Sequence, residues 1–600
     1  MTIEIIPQEP PQEHSPPPWK NRVLEKRATQ LTLIPSDWHL PPRFLVNPPA
    51  SSIETIRTSG ILSADELAWT ETTDIRDLVE LVKSRRLTSE SLTTAFCKRA
   101  AIAQQVTKCL TEIFFDKALD RAKELDDHLQ RTGEVVGPLH GVPVSVKDRF
   151  DVEGFDTTIG WVGLTNKPAE SSSLIVRLLE SMGAVLYVKT NVPQSLMMSD
   201  SYNHVFGQSV NAFNHALISG GSSGGEGALV GSGGSVLGIG TDIGGSIRIP
   251  SNLQGLYSIC PTTGRVPWDC SFLHQHYLVT PVAGPMATSL ATTEYFMESL
   301  LASGPWNLDP NSVPIPWRKE LANPPANRKL RLGVVFDDGL VKPQPPVARA
   351  MCETVNALRA AGHEVIEWDT SLHIATTNLW TKGIFADGGQ HCRSLCQIVD
   401  EPLIEGMVVG KETDLLSHEE REQVRPKTPL RTVTFEKPIS PPPIPQSKSN
   451  PSMILTPLNQ FEATKLTLQT AFLKQWVSSE IDALLMPVIP WVGYKPKTWV
   501  KSKQWLGYTA MWNLLDYAAV TVPVARADRG LDSVGSGGND EWEGHSIRNE
   551  SDAFNYLQYD IDLVHGMPIC VQIVGGRFGE EKAVAVGKVV DELMNPTPFH

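Results

Sequence analysis

The most informative part of this chain is GGSSGGEG at residues 220–227, which is followed by TDIGGSIRIP at residues 241–250. Glycine adds no side chain to a core and loses much backbone freedom on folding. Such a density of glycine therefore indicates backbone that comes close to something, or N–H groups that point inward. A third stretch, SVKD at residues 145–148, lies upstream. Its lysine and the serines of the other two could supply a base, a proton relay and a nucleophile for acyl transfer.

The composition is that of a globular protein with an acidic balance. The chain has 600 residues, 41% of them hydrophobic, and a formal net charge of −14. That is enough apolar material for a large core. An acidic balance argues against a nucleic-acid partner, which requires a basic face, and gives no support for binding an anionic membrane.

The cysteines and the apolar runs indicate a reducing compartment. The eight cysteines are scattered and mostly lie in apolar surroundings, so we expect buried thiols. His391, Cys392 and Cys396 suggest a metal site, but no second ligand pair follows at suitable spacing, so we expect no metal. No secretory signal and no apolar run of about 18 residues is visible, so we expect a cytoplasmic protein without a membrane-spanning helix.

Strand and helix patterns alternate along most of the chain. We expect a disordered Pro-rich tail at 1–18, an arm at 19–60 packed on the body, and a catalytic domain at 61–600 with loop insertions at 437–451 and 526–549. The patterns predict helices at 75–86, 88–105, 115–131, 172–181, 347–361, 464–479 and 580–594, and the start of a helix at 226–230. They predict strands at 142–146, 184–188, 236–240, 330–336, 363–368, 481–487, 519–524 and 569–575. This alternation favours an α/β core with a mostly parallel or mixed sheet.

The serines have structural alternatives as well as chemical ones. Two glycines before Ser246 allow a turn whose free N–H groups could hold a developing oxyanion, but they also fit a plain tight turn. Ser222 and Ser223 could cap the helix that follows, or bind an anion at its start, although the Gly-Lys-Ser/Thr end of a phosphate loop is absent. Residues 221–225 also fit the nucleophile elbow of α/β-hydrolases, but residues 211–219 before them make an unconvincing strand.

Lys147 ends an apolar strand and is either a surface lysine or a buried base. Burial lowers the pKa of a lysine because charge is costly in a low dielectric, and serine hydroxyls with backbone dipoles could provide such a pocket. His140 is the alternative base, although a structural role suits it better.

Taken together, these stretches resemble the amidase signature family, and further ones resemble its fungal acetamidase and general amidase subgroup. The resemblance covers about residues 60–595 and rests on residues 141–148, 157–160, 220–225 and 240–250, with FDKA at 115–118, residues 121–125 and ADGG at 386–389. It implies one large domain with a mixed, mostly parallel central sheet and helices on both faces.

The resemblance also implies the roles of the site residues. Ser246 is expected to be the nucleophile, Ser222 a relay serine after a cis peptide bond, and Lys147 the base, with no metal and no cofactor. The oxyanion hole is expected from the amides of Ile243, Gly244, Gly245 and Ser246, support from Ser223, Asp242 and Arg248, and substrate binding from Gly221, Ser222 and Asp387.

The function implied is hydrolysis of a small-molecule amide to a carboxylic acid and ammonia through an acyl-enzyme. The alternative is an amidotransferase subunit that supplies ammonia within a complex with a tRNA-binding partner. A scaffold without activity is disfavoured because all three catalytic positions are present, and no apolar cap typical of the family's membrane-bound lipid amidase is visible. We expect the acyl pocket within 375–396 and after 480, with Trp380, Phe385 and Trp491 as candidates, although core packing is the commoner role for any single one of them. A homodimer is also considered.

Overall fold

The computed structural model describes residues 17–46, 49–269, 278–407, 457–501, 505–533, 540–597 and 599. The predicted insertion at 437–451 lies outside these residues, as does nearly all of the predicted tail at 1–18. At the end of that tail, Pro18 already belongs to the first helix.

The described strands form one large sheet and one small hairpin. They are β1 Leu110–Ile113, β2 Pro143–Lys147, β3 Val185–Thr190, β4 Tyr202–Asn203, β5 Gly207–Gln208, β6 Leu237–Asp242, β7 Tyr257–Cys260, β8 Val282–Ala287, β9 Arg331–Val334, β10 Glu364–Glu367, β11 Ala483–Pro487, β12 Ala518–Arg526 and β13 Pro568–Gly576. The large sheet has 11 strands in the order β1-β3-β2-β6-β8-β7-β12-β13-β11-β9-β10, and β4 pairs with β5 alone.

The large sheet is mixed, as expected. Parallel pairs join β2 to β3 and β6 at one end, and β9 to β10 and β11 at the other. From β6 through β8, β7, β12 and β13 to β11 every neighbouring pair is antiparallel. The parallel share is therefore smaller than the alternation of strands and helices suggests.

Helices surround this sheet. They are α1 Pro18–Thr32, α2 Pro42–Val46, α3 Ser52–Ser59, α4 Ala64–Thr70, α5 Ile75–Lys83, α6 Ser89–Thr107, α7 Phe115–Thr132, α8 Leu174–Ser181, α9 Gly224–Gly231, α10 Arg248–Gln254, α11 Leu290–Ala302, α12 Pro345–Ala360, α13 His373–Ile384, α14 Gln390–Cys396, α15 Pro457–Ser479, α16 Ala510–Leu515, α17 Arg529–Asp532, α18 Asp540–Glu543, α19 Glu550–Leu557, α20 Ile561–Val564 and α21 Glu580–Met594. The predicted helices are all present, with ends that differ by a few residues except at α15, which begins seven residues early.

Alternate side chains of β13 show that helices cover both faces of the sheet. Gln572 accepts a hydrogen bond from Arg248 of α10 at 3.2 Å. Its neighbours Val571 and Ile573 pack instead into the main hydrophobic cluster with α12 and α21. Successive side chains of a strand point to opposite faces, so the sheet lies between helical layers. The prediction of a single α/β domain is confirmed.

The predicted flexible insertion at 526–549 is partly helical. Asp528 caps α17 by accepting the N–H groups of Gly530 at 2.7 Å and Leu531 at 3.1 Å. Asp532 then pairs with Arg349 of α12 at 2.7 Å. A cap and a half-buried ion pair hold the first part of this segment on the body, which a polar composition alone does not reveal.

The N-terminal helices lie on the same domain. Lys26 of α1 pairs with Glu112 at 2.6 Å and with Asp156 at 2.7 Å. Gln30 donates to the carbonyl of Leu110 at 2.9 Å, and the amide of Ser52 donates to the carbonyl of Ala212 at 2.8 Å. These contacts join the segment before residue 60 to β1 at the edge of the sheet and to the loops that hold Asp156 and Ala212.

Candidate active site

The carboxyl ends of two parallel strands bring two of the motifs together. β2 ends at Lys147 and β6 ends at Asp242. The two strands pair with Ser145 opposite Gly238 and Val146 opposite Ile239. Parallel neighbours end at the same edge of a sheet, where α/β proteins commonly place their ligands. Lys147 therefore lies beside the last residues of β6.

Lys147 is fully buried and surrounded by uncharged acceptors. Its Nζ donates to Ser222 Oγ at 2.8 Å, to Thr241 Oγ1 at 2.8 Å and to the carbonyl oxygen of Thr241 at 3.4 Å. Burial lowers the pKa of Lys147 well below its usual range, against a smaller opposing effect of the Asp242 carboxylate. The pocket therefore favours the neutral amine, which is the form that can accept a proton.

The loop that carries Ser222 is held tightly by its neighbours. Gly220 adopts a φ of +89°, which favours glycine, and the peptide bond between Gly221 and Ser222 is cis. A Cβ on Gly221 would lie 2.6 Å from the carbonyl oxygen of Met198, so only glycine fits there. Ser201 Oγ accepts from the amide of Gly224 at 3.1 Å and donates to the carbonyl of Gly220 at 3.0 Å. These contacts fix the position of Ser222 at the start of α9.

The loop that carries Ser246 lies directly beside the loop of Ser222. The amide of Ser223 donates to the carbonyl of Ser246 at 3.1 Å. Ser223 Oγ also donates to the carbonyl of Thr241 at 3.2 Å and accepts from the amide of Thr241 at 3.2 Å. Ser246 is half-buried, whereas Ser222 and Lys147 are buried. Ser246 is therefore the most accessible of the three predicted catalytic residues.

A buried ion pair between Asp242 and Arg248 stabilises the loop that carries Ser246. Asp242 Oδ1 accepts from Arg248 Nη2 at 3.0 Å, and Oδ2 accepts from Arg248 Nε at 3.1 Å and from the amide of Ile247 at 3.0 Å. Both side chains are fully buried. Burial raises the pKa of Asp242, but the Arg248 charge and these hydrogen bonds outweigh it and lower the pKa to about 2. Asp242 is thus an anion under all ordinary conditions.

The backbone amides of this loop fall into two groups. No hydrogen bond within the described part of the chain occupies the amides of Ile243, Gly244 and Ser246. The Gly245 amide differs from expectation, because it donates to Asp242 Oδ1 at 2.7 Å. Asp242 accepts this amide as a short side chain commonly does at a turn. Gly245 also has a φ of +126°, which turns the chain there.

Trp380 lies against the same loop. Its Nε1 donates to the carbonyl of Ile243 at 2.8 Å, and a Cβ on Gly244 would lie 2.5 Å from its Cζ2. Thr509, which directly precedes α16, donates from its hydroxyl to the carbonyl of Gly244 at 2.6 Å. The loop is therefore clamped at both carbonyls that precede Gly245.

The structure does not bring the other pocket candidates to the serines by any recorded contact. Asp387 accepts the amides of Gly389 at 2.8 Å and His391 at 3.1 Å, so its carboxylate caps α14. Trp491 is buried in a cluster with Tyr494, and the half-buried Phe385 directly follows α13. The substrate-binding role of Asp387 stays a prediction.

Two other interpretations of the sequence concerned His140 as the base and a metal site at Cys392. His140 Nδ1 accepts from the amide of Val136 at 3.0 Å, and it precedes β2 whereas Lys147 ends it. Burial lowers the pKa of His140. Within the described residues no group of three or more His, Cys, Asp or Glu side chains could hold a metal ion. Cys392 instead packs in a hydrophobic cluster with Trp161.

Several residues that complete the site carry no signal in the sequence. Asn513 donates to Asp242 Oδ1 at 2.9 Å and accepts from Arg248 Nη2 at 2.7 Å. Gln572 accepts from Arg248 Nη1 and donates to the carbonyl of Pro487 at 2.9 Å. These residues come from α16 and β13, far along the chain, and only tertiary structure brings them here. Thr241 lies within the stretch 241–250, but no sequence spacing predicts that it contacts Lys147.

Comparison with known proteins places this arrangement in a family. A family model described as Amidase matches residues 91–584. An acetamidase of Emericella nidulans is 34% identical over 594 residues, which covers 96% of this chain and 99% of that protein. Amidase 1 of Gibberella moniliformis is 35% identical over 531 residues, which covers 87% of this chain and 93% of that protein.

Solved structures agree. Fatty acid amide hydrolase superimposes with a TM-score of 0.84 at 28% identity and covers 97% of this chain and 96% of its own. A peptide amidase from Stenotrophomonas maltophilia shares the fold with a TM-score of 0.60 at 20% identity, covering 88% of this chain and 99% of its own. Fold and site define an α/β protein in which a buried lysine meets two serine loops at one sheet edge. With these matches over most of its length, the chain belongs to the amidase signature family.

In the described part of the chain, no helix is long and apolar enough to cross a bilayer.

Proposed function

We propose that this protein is an amidase that hydrolyses small carboxylic amides to a carboxylic acid and ammonia, with an acyl-enzyme on Ser246. One observation carries the proposal: Nζ of the buried Lys147 lies 2.8 Å from Ser222 Oγ, beside the loop of Ser246. A neutral lysine that faces a serine hydroxyl is a base with a relay, and a second serine lies next to that relay.

The first step is activation of the nucleophile. Lys147 takes the proton of Ser222, and Ser222 takes the proton of Ser246. The attacking oxygen then adds to the amide carbonyl carbon. The lowered pKa of Lys147 supports this role, because a base works best when it is neutral at the working pH.

The second step is stabilisation of the tetrahedral oxyanion. We assign this to the amides of Ile243, Gly244 and Ser246, which have no acceptor within the described residues. Each such donor contributes about 3–4 kcal/mol in known acyl-transfer sites. Gly245 has a different role in this scheme, since its amide binds Asp242 and so shapes the loop.

The third step releases the amine and regenerates the enzyme. The proton on Lys147 returns through Ser222 to the leaving nitrogen, and ammonia departs. Water then attacks the acyl-enzyme with the same base and relay, and the carboxylic acid leaves. The scheme needs no metal and no cofactor.

Acetamide-like substrates are the first to test. The relatives named as acetamidases support them, because they match this chain over nearly its whole length. Trp380 lies against Ile243 and Gly244, so we assign it to the wall of the acyl site.

The experiment is ammonia release by the purified full-length protein with acetamide, benzamide and longer acyl amides. Turnover by the isolated chain that Ser246→Ala abolishes supports the proposal. Turnover only in the presence of a tRNA-binding partner would favour the ammonia-supplying amidotransferase subunit. Retention of activity by Ser246→Ala would overturn the assignment of the nucleophile.

We also propose a reducing compartment, the cytoplasm, because five of the described cysteines are buried thiols, namely Cys97, Cys109, Cys260, Cys392 and Cys570. Fractionation of cells that produce the protein tests this location. The homodimer stays a prediction that light scattering tests.

A further inference from the structure

Glu226 is a buried carboxyl group for which the proposed mechanism has no use. It lies in α9, four residues after Ser222, and is fully buried. Its Oε2 accepts a hydrogen bond from Ser145 Oγ at 2.6 Å. A Cβ on Gly238 of β6 would lie 2.2 Å from that oxygen, so the carboxyl occupies space that only glycine leaves open. The fold makes room for this acid at a considerable desolvation cost.

Its partner Ser145 connects Glu226 to the base. Ser145 and Lys147 are two residues apart on β2, so their side chains point to the same face of the strand. Glu226 is one of the charges that act on Lys147: it raises the pKa that burial lowers, and Lys147 in turn lowers the pKa of Glu226. The carboxyl group therefore lies near the amine on the face where the proton transfer takes place.

The other charges near Lys147 do not replace Glu226. Asp242 raises the pKa of Lys147 more than Glu226 does, but its carboxylate already pairs with Arg248 at 3.0 Å. Arg149 lowers the pKa of Lys147, so it opposes an ammonium there. Among the described residues, Glu226 is thus the acid near Lys147 that has no arginine or lysine ion pair of its own.

Two further ionisable groups near Glu226 carry no charge at neutral pH. Burial raises the pKa of the Cys109 thiol to about 12, and it raises that of the Tyr187 phenol well above its usual range. Ser145 supplies a hydroxyl without charge. Burial has the largest effect on the pKa of Glu226 and raises it, whereas hydrogen bonds with Ser145 and Thr190 and then the charge of Lys147 lower it.

We propose that Glu226 is a positioning residue that acts through Ser145 on β2 and supplies the negative charge that stabilises the Lys147 ammonium during turnover. This inference rests on the proposed function. When Ser246 Oγ attacks, its proton passes to Ser222 and the Ser222 proton passes to Lys147. The step creates an oxyanion at the loop amides and a cation at a fully buried nitrogen. A buried cation without a counter-charge is costly, and Glu226 provides one.

A charge role for Glu226 predicts a pH-dependent effect of Glu226→Gln on kcat/KM, whereas a packing role predicts the same effect at every pH. Burial raises the pKa of Glu226 to about 8, although its hydrogen bond with Ser145 opposes the shift. The carboxylate is therefore present mainly above that pH. With Glu226→Gln, kcat/KM should fall about tenfold above pH 8 and approach the wild-type value at low pH.

The experiment compares the full-length wild type with Glu226→Gln, Ser145→Ala and a matched control, Glu112→Gln. Glu112 is also buried, with a pKa raised by burial to about 7, but it pairs with Lys26 at the edge strand β1. Two readouts are measured from about pH 5 to about pH 10, on both sides of the Glu226 pKa of about 8. One is kcat/KM for an amide, and the other is the rate at which phenylmethanesulfonyl fluoride labels Ser246, followed by intact mass.

The inference is supported if, in both readouts, the rate of the wild type divided by the rate of Glu226→Gln grows with pH. Ser145→Ala should show the same trend more weakly, and Glu112→Gln should follow the wild type. A ratio that is constant with pH overturns it. If Glu226→Gln does not fold, Ser145→Ala decides, and a profile identical to wild type overturns the inference. Labelling of Ser246 without amide turnover rejects the proposed substrate class, whereas the labelling profile still tests Glu226.

Discussion

The amide of Ser223 donates to the carbonyl of Ser246 at 3.1 Å, so a main-chain hydrogen bond joins the two serine loops without the hydroxyls of Ser222 and Ser246. The hydroxyls of Ser222 and Ser246 are thereby left for chemistry. Either can be removed without breaking the bond that holds the loops side by side.

Ser222→Ala and Ser246→Ala should therefore fold with an unchanged melting temperature and lose turnover. Removing the nucleophile abolishes the acyl-enzyme, and removing the relay breaks the path to Lys147, with an expected loss of about 10⁴-fold or more in kcat. Intact mass after mixing with substrate measures the acyl-enzyme, and differential scanning fluorimetry measures folding. A large fall in melting temperature for both variants would show that the hydroxyls hold the loops after all.

The two buried lysines of adjacent strands should respond in opposite ways to loss of their amine. Lys147 has only uncharged acceptors, whereas Lys189 pairs with Asp148 at 3.0 Å. Lys147→Met should abolish turnover and leave stability unchanged or higher, since a desolvated amine is replaced by an apolar chain. Lys189→Met should lower the free energy of unfolding by about 3–5 kcal/mol, because it leaves the buried Asp148 unpaired.

Urea unfolding of both variants measures this contrast. Equal destabilisation by the two substitutions would contradict the assignment of Lys147 as a neutral base.

Activity should require the neutral form of Lys147 and so depend on pH with a definite sign. Below its pKa the amine is protonated, and kcat/KM should fall about tenfold for each unit of decreasing pH. Because burial lowers this pKa well below the usual range of lysine, activity should persist at neutral pH. The profile of kcat/KM against pH in constant ionic strength gives the midpoint. A midpoint near that of a free lysine, about 10.4, would exclude Lys147 as the base.

Gly244 and Trp380 should depend on each other. A Cβ at residue 244 would lie 2.5 Å from Trp380 Cζ2, so Gly244→Ala should cost about 1–3 kcal/mol of stability and reduce kcat/KM. Trp380→Phe removes the end of the ring that the methyl group meets. In the double variant, part of the lost activity should return.

Gly493→Ala is the matched control, because the nearest atom to its Cβ would be Leu217 Cδ1 at 3.5 Å. We expect wild-type rates and stability for it. No recovery in the double variant, measured as kcat/KM beside each single change, would show that Trp380 does not limit the space at Gly244.

The sequence predicted those parts of the site that depend only on neighbouring residues. An apolar strand that ends in Lys147 and a glycine-rich turn before Ser246 are properties of a few neighbouring residues. The position of both at one sheet edge follows from the parallel pairing of β2 and β6.

What the sequence did not reveal depends on distant contacts. Thr509 and Asn513 reach the Ser246 loop from α16 and its N-terminal flank, and nothing in their neighbourhood marks them. The direction of the Gly245 amide was also missed, because it is set by the Asp242 carboxylate, which could equally have served Arg248 alone. The mixed sheet was expected, whereas the order of its strands depends on contacts between distant segments that the alternation of elements does not determine.

The guanidinium of Arg248 is bound by Gln572, 324 residues further along the chain. During synthesis from the N-terminus, Lys147, Ser222 and Ser246 leave the ribosome long before Gln572 does. A nascent chain thus holds every reactive group without the brace that sets the nucleophile loop. Hydrolytic capacity should appear only when translation is almost finished, and a protein shortened near its C-terminus should be inert although all its reactive side chains are present.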